Sequence, residues 1–216
     1  MDSRVKIITR EHSYLNNLLY ELRDQHIQQD RMRFRLNVER IGEILAYEIS
    51  KSFTYTSQLV RTPLGELEMS LLAEQPVIIS ILRAGIPLHQ GFLRILDHAD
   101  NGFISAYRHH TSENEFVVKV EYLATPAVSG RALVLVDPMI ATGKSLVLSY
   151  KSIVENNKPE QVIIAGVVAS EEGIAYILQH IPQATIYVAA VDGELTAKAY
   201  IVPGLGDAGD LAFGPK

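Results

Sequence analysis

The sequence predicts an α/β fold with a parallel central sheet flanked by helices. Two observations carry this. From Pro76 onward, short apolar runs rich in β-branched residues alternate with segments of helical periodicity, the pattern of parallel strands joined by right-handed crossovers. One of these runs, LVLV at 133–136, stops at an acid, Asp137, and a loop ending in Thr142-Gly143-Lys144-Ser145 precedes the next helical pattern. A buried strand that stops at a carboxylate delivers it to the C-terminal edge of the sheet, where open α/β sheets bind ligands. The length of 216 residues favours one domain, 1–216, with a sizeable core.

Taken in order, Leu15, Leu18, Leu19 and Leu22 fall at i, i+3, i+4 and i+7 and predict an amphipathic helix near 12–25. Phe34, Val38, Ile41, Leu45 and Ile49 predict a second helix near 30–51. Residues 53–72 fit no single pattern: Pro63 and Gly65 mark a turn, and Leu67, Met69 and Leu71 alternate as in a strand or a short buried segment. Strands follow at Val77–Leu82 and 103–107, with a helix near 87–97 between them. Residues 109–115 are polar and turn-like, and 116–122 alternates enough for a β-arm. After the strand at 133–136, Leu146, Tyr150, Ile153 and Val154 share a helical face, which Asn156-Asn157-Lys158-Pro159 ends. A buried strand at 162–168, a helix near 171–180 and a strand at 185–190 complete the alternation. No internal repeat, linker or low-complexity segment interrupts it.

Composition narrows the function. A formal net charge of -5 lacks the footprint of a general nucleic-acid binder. The absence of cysteine excludes disulfides and thiolate metal sites and fits a reducing compartment. The first residues form no apolar signal core, and no apolar run approaches the roughly 20 residues of a membrane helix. The expectation is a cytoplasmic protein with no membrane partner.

The loop after Asp137 supplies glycine, hydroxyls and the free N–H groups of a helix N-terminus, which is an anion site. Its Gly143-Lys144-Ser145 invites a triphosphate-binding P-loop, but that loop needs glycine five residues before the GK glycine, and position 138 is proline. Arg83 directly follows the strand Val77–Leu82, and Gly85 allows a close approach of backbone to ligand. Arg108 follows the predicted strand at 103–107 in the same way. Two arginines and one acid at three strand ends describe an edge that can hold a polyanionic sugar, since the guanidinium fork suits phosphate oxygens. His109, His110 and Glu113 read as solvated loop residues rather than metal ligands. The tail at 200–214 packs four glycines and a proline around Asp207 and Asp210, and carries Ile201, Val202, Leu205, Leu211 and Phe213. Those apolar residues predict an ordered loop, whose glycine backbone can read the edge of a small polar heterocycle.

On these residues the chain resembles the uracil phosphoribosyltransferase family. The resemblance rests on Ile81-Leu82-Arg83-Ala84-Gly85, on Tyr107-Arg108, on Asp137-Pro138-Met139-Ile140-Ala141-Thr142-Gly143-Lys144-Ser145, and on the tail, where PGLGDAGD stands intact at 203–210. It implies a type I phosphoribosyltransferase fold: parallel strands flanked by helices, a small hood formed mainly by the C-terminal segment, and a β-arm. It implies the reaction of uracil with 5-phosphoribosyl 1-pyrophosphate (PRPP) to give UMP and pyrophosphate, in pyrimidine salvage. Residues carry over by motif. Arg83, Arg108, Asp207 and the whole run from Asp137 through Pro138, Met139, Ile140, Ala141, Thr142, Gly143 and Lys144 to Ser145 would bind PRPP. Within that run Asp137 would contact the ribose hydroxyls, and residues 141–145 the 5-phosphate. Ile201, Gly206, Asp207 and Ala208 would read uracil, and Arg108 and Asp207 would be catalytic. Mg²⁺ would arrive mainly on the pyrophosphate, with no protein cage. The resemblance further implies a homo-oligomer and GTP as a candidate effector. The chain departs from the family at Lys144, where glycine is usual, and at the end of the arm, residues 119–126. Two alternatives share the fold: an RNA-binding regulator of the pyrimidine-attenuator type, which carries two adjacent acids where this chain has Asp137-Pro138, and an inactive nucleotide-binding homologue, which the intact tail disfavours.

Overall fold

A computed structural model describes residues 2–110, 116–155 and 157–215, with the backbone alone for 106–110 and 116–121. A short strand β1 (Val5–Ile7) leads into helices α1 (Leu15–Arg23) and α2 (Arg31–Ser50). A hairpin of β2 (Tyr55–Thr62) and β3 (Gly65–Leu72) follows. Then come β4 (Val77–Leu82), α3 (Gly85–Ile95), β5 (Asp100–His110), β6 (Phe116–Ala124), β7 (Ala132–Val136), β8 (Met139–Ile140), α4 (Lys144–Val154), β9 (Gln161–Ser170), α5 (Glu171–His180) and β10 (Ala184–Asp192). The tail contributes β11 (Glu194–Leu195), β12 (Ile201–Val202) and α6 (Ala208–Phe213).

The main sheet runs β1-β10-β9-β7-β4-β5-β6, with β8 also paired to β9. Every pairing in it is parallel except β5 with β6. Strands buried on both faces read as continuous apolar runs, and here successive residues serve opposite faces. Ile78, Val134, Val136 and Ile163 pack with α1, α2 and α3, through Leu15, Ile41 and Phe92. Val77, Ile79, Leu133, Leu135 and Ile164 pack on the other face with α4 and α5, through Leu146, Ile153 and Ile177. Asp30 starts α2 by accepting the Arg33 N–H at 3.0 Å, a side-chain cap that satisfies one free helix donor.

Chain order places the ligand edge. From β4 the chain moves outward to β5 and β6, then returns across β4 to β7 and proceeds the other way to β9 and β10. The switch point therefore lies between β4 and β7, and their C-terminal ends carry Arg83 and Asp137. Arg108 is placed differently from the expectation. Strand β5 runs through it to His110, because β6 pairs with it antiparallel and prolongs it beyond the parallel edge, with Arg108 opposite Val118. Of the residues read as a turn, 109 and 110 are thus strand, and 111–115, with Glu113, lie outside the described residues. The ambiguous segment at 53–72 forms the separate antiparallel hairpin β2–β3, with Leu59, Leu64, Leu67 and Met69 exposed.

Helices α2 and α3 meet glycine to glycine. A Cβ on Gly42 would stand 2.5 Å from the Leu88 carbonyl oxygen, and one on Gly91 would collide with the Glu39 carbonyl and lie 2.8 Å from Gly42 Cα. Because those neighbours are backbone, the helices must separate to admit a methyl. Gly91→Ala should lower stability by about 1–3 kcal/mol, or roughly 3–10 °C in Tm for a chain of this size. Thermal unfolding followed by circular dichroism reads this directly, and an unchanged Tm would show that the crossing is loose.

Candidate active site

The loop after β7 is built as a continuation of the sheet. The Asp137 N–H donates to Ala165 O at 3.0 Å, and the Pro138 carbonyl accepts from the N–H groups of Val167 and Val168 at 3.1 and 3.0 Å. Strand β8 then pairs Met139 with Val168 and Ile140 with Ala169. Pro138 needs no donor there, since only its carbonyl faces β9. The loop closes at Gly143, whose φ of +71° is left-handed, and a Cβ at this position would lie 2.7 Å from Gly173 O and 2.9 Å from Ile177 Cγ1. Glycine is required here twice over, by conformation and by space. Helix α4 starts at the next residue, so the first-turn N–H groups that lack intrahelical partners stand beside the loop. Ser145 and Thr142 are half-buried and Lys144 is exposed.

Sequence reading missed what stands behind this loop. Ser170 caps α5 by accepting the Gly173 N–H at 2.8 Å, and its hydroxyl donates to Ala141 O at 2.5 Å. A Cβ on Gly173 would collide with that same carbonyl. Ser170-Glu171-Glu172 does read as a helix start, but nothing in it announces the contact with residue 141.

Arg83 and the tail are joined. Its Nη2 donates to Asp210 Oδ1 at 3.3 Å and to Gly214 O at 3.1 Å. Its Nε is buried and has no hydrogen-bond partner among the described residues. Two residues on, Gly85 is wedged against Ser80 Oγ and the Val136 carbonyl, with no room for a Cβ. The side chain of Arg108 lies outside the described residues, as do those of His109 and His110.

The tail is ordered, as its apolar residues predict, but by a smaller set of them. Ile201, Leu205, Ala208 and Ala212 are buried in the same cluster that Met139 and Ala141 pack against. Val202 and Phe213 stay exposed: the register with Leu195 turns Ile201 inward, so its neighbour Val202 faces out. Polar anchors replace them. Arg35 Nη1 donates to Ala212 O at 2.7 Å, and Arg23 and Asp192 together hold Gly204. Asp207 caps α6 by accepting the Asp210 N–H at 3.0 Å. Gly206, Asp207 and Asp210 line an open cavity of about 400 Å³ with Gln28 and Arg31. Asp137 and the 141–145 loop are not among its lining residues, so the sugar-side loop and this cavity are two neighbouring features.

Electrostatics single out Asp137. Burial pushes its carboxyl from 3.8 up to about 7, against the opposing 3.2 Å hydrogen bond from the Met139 N–H. A carboxyl shifted this way in a cleft marks a functional candidate. Among the described residues no group of three His, Asp or Glu side chains is placed to hold a metal ion. No described helix is long and apolar enough to cross a membrane.

An acid and an arginine stand at the switch point beside a glycine-initiated helix N-terminus, as the type I phosphoribosyltransferase fold was expected to place them. Comparison supports this at the level of fold: a hypoxanthine-guanine phosphoribosyltransferase from Bacillus anthracis superposes with a TM-score of 0.50 at 15% identity, over 74% of this chain and 81% of that one. The AQ2163 protein of Aquifex aeolicus superposes far more fully, with a TM-score of 0.86 at 28% identity over 97% and 98%. A family model described as uracil phosphoribosyltransferase matches residues 8–215. Uracil phosphoribosyltransferase of Porphyromonas gingivalis is 47% identical over 95% of this chain and 96% of its own. That of Thermococcus gammatolerans is 40% identical over 93% and 89%. The chain belongs to the uracil phosphoribosyltransferase family.

The raised carboxyl at Asp137 has a sign for stability. The folded state holds this proton more tightly than the unfolded chain, so the contribution is complete below about pH 4 and is lost as the pH rises through about 7. Asp137→Asn keeps an oxygen for the Met139 N–H and removes the charge. Its Tm should exceed the parent's by roughly 3–6 °C at pH 8, with the gap closing towards pH 4. Parallel Tm curves across that range would show that the carboxyl ionises freely in the fold.

Proposed function

We propose that this chain makes UMP and pyrophosphate from uracil and PRPP, with the substrate laid across the β4–β7 switch point. The observation that carries this is the convergence there of Asp137, the glycine-closed loop of α4 and Arg83, with Arg83 bonded directly to the tail. In this reading the Asp137 carboxyl accepts the ribose hydroxyls, and Ala141, Thr142, Gly143, Lys144 and Ser145 enclose the 5-phosphate at the N-terminus of α4. Pro138, Met139 and Ile140 hold that loop against β9 and flank the sugar. Arg83 takes the pyrophosphate through its guanidinium fork, whose Nε has no hydrogen-bond partner among the described residues. Arg108, on the hairpin β5–β6, is assigned to the same group by its motif alone. Ile201, Gly206, Asp207 and Ala208 read uracil, chiefly through backbone, and Asp207 also approaches the sugar-phosphate.

Charge dictates the mechanism. Breaking the bond from the anomeric carbon to pyrophosphate builds positive charge on the sugar ring and negative charge on the leaving group. Arg83 and Arg108 stabilise the second, and the site's main work is positioning uracil against the carbon. When bound with the substrate, Mg²⁺ would neutralise part of the pyrophosphate's charge. The exposed Asp207 and the nearby Asp210 fit an ion that keeps most of its other ligands from substrate and water. Closure of the β5–β6 arm excludes water, which competes with uracil for the same carbon. No strong general base lies in the uracil motif.

The same reading holds the protein to be a cytoplasmic homo-oligomer with GTP as a candidate effector. The apolar side chains exposed on β2–β3 support the oligomer, since a second copy would cover them.

Two measurements test the assignment. Pyrophosphate release should require uracil, with cytosine, hypoxanthine and orotate inactive; no turnover with uracil would overturn the reading. Asp207→Asn retains a helix cap and should keep its Tm while kcat falls about a hundredfold or more; undiminished UMP formation would sink the role of Asp207. Separately, Lys144→Gly should raise the KM for PRPP about threefold to tenfold, the worth of roughly one charge at a phosphate, with kcat little changed. An unmoved KM would show that the Lys144 charge does not reach the 5-phosphate.

A further inference from the structure

One ion pair holds both backbone polar groups of a single residue in the tail. Arg23, the last residue of α1, is bidentate to Asp192, the last residue of β10, with Nη1–Oδ2 at 2.8 Å and Nη2–Oδ1 at 2.9 Å. The same Nη1 donates to Gly204 O at 3.0 Å, and the same Oδ2 accepts the Gly204 N–H at 2.9 Å. The pair is largely withdrawn from water, its side chains 23% and 8% exposed. Gly204 itself is left-handed at φ +56° and has no room for a Cβ against the Ile201 carbonyl. Next to it Leu205 is buried, and with the Gln28 amide turned to satisfy its neighbours, its nitrogen donates to Leu205 O at 2.8 Å. Gly206 and Asp207, the following residues, line the cavity.

A buried ion pair is a poor source of net stability, because desolvation offsets its attraction. What a bidentate pair supplies is direction: the guanidinium is planar, its partner is fixed at a strand end, and the two together accept Gly204 in one orientation. The apolar contacts of Ile201 and Leu205 hold the tail to the core, but apolar contacts carry no direction for the Gly204 peptide groups between them. We propose that Arg23 and Asp192 are positioning residues for the base-reading backbone at 206–208, acting on affinity and selectivity for the base more than on affinity for PRPP. This rests on the assignment of that backbone to uracil. The loop at 137–145, which carries most of the residues assigned to PRPP, is anchored elsewhere, through β9, Ser170 and Gly173.

Steady-state kinetics on the full chain, with each substrate varied in turn, test the proposal together with Tm. Arg23→Lys and Asp192→Asn each weaken one or two charge-assisted bonds, and each should raise the KM for uracil about tenfold or more. The KM for PRPP should stay within about threefold, and the rate with cytosine relative to uracil should increase. The double variant Arg23→Met/Asp192→Leu removes the ion pair and supplies apolar packing in its place. It should keep Tm close to the parent and still show the raised KM for uracil, which a purely structural pair would not produce. That variant also carries the test if a single variant fails to fold. An unmoved KM for uracil, or both KM values rising together in step with a lost Tm, would overturn the positioning role while parental turnover stands. Absence of uracil-dependent turnover in the parent would overturn the functional assignment itself, and this inference with it.

Discussion

The site depends on where β7 stops. A strand buried on both faces cannot end in open water without a turn that satisfies its backbone, and here the next residues bond to β9 instead. That continuation leaves Asp137 half-enclosed at the edge, with one side of its carboxyl against protein. Its neighbour β4 ends at Arg83, and Gly85 fits between the two strands only because it has no side chain. In the proposed reading a sugar's hydroxyls complete the hydrogen bonding of this desolvated carboxyl, a local instability of the sort that active sites retain.

The opposite wall is held by donors from distant parts of the chain. Arg23, Arg35 and Arg83 reach the carbonyls of Gly204, Ala212 and Gly214. A glycine-rich segment loses more conformational freedom on ordering than most, and its buried apolar side chains are few. Guanidinium groups suit this task, since one head can bond a carbonyl and a carboxylate together, as Arg23 and Arg83 both do. The N-terminal helices therefore serve the candidate site although they contribute no residue to its motifs.

Much of this was legible in the sequence, for a physical reason. Strands β4, β7, β9 and β10 and helices α1, α2 and α5 bury whole faces, so their apolar periodicity survives in the letters, and the strand ends place Arg83 and Asp137 without further information. Less was legible where burial is absent. Residues 55–72 are nearly all exposed, so no face of that hairpin had a core to imprint a pattern. The continuation of β5 past Tyr107 depends on its partner β6, which no local signal in 108–110 reveals. Val202 and Phe213 looked like anchors by hydrophobicity alone; strand register and helix direction left them outside. The Arg23–Asp192 pair joins residues 169 positions apart, and a single sequence holds no trace of such a partnership. Ser170 lay in plain view as a cap, but its second bond to Ala141 is a tertiary fact.

The two walls meet through Arg83, and the strength of its bonds matters for how they communicate. Its link to Asp210 is 3.3 Å long between side chains 37% and 44% exposed, and ion pairs this open contribute about 0–1 kcal/mol. A pyrophosphate carries more charge than one carboxylate and offers several oxygens, so it competes well for this guanidinium. Yet the tail does not depend on Arg83 alone. Arg23 and Asp192 hold Gly204 on the sheltered side, where water competes less, and Arg35 holds Ala212. In the proposed reading the more exposed tie faces the group that must arrive and leave, and the more sheltered one lies on the side of the base. A tail fixed by Arg83 alone would move each time the leaving group changed. On the proposed assignment, a tail fixed at Gly204 would keep the backbone at 206–208 in place while Arg83 exchanged one anion for another.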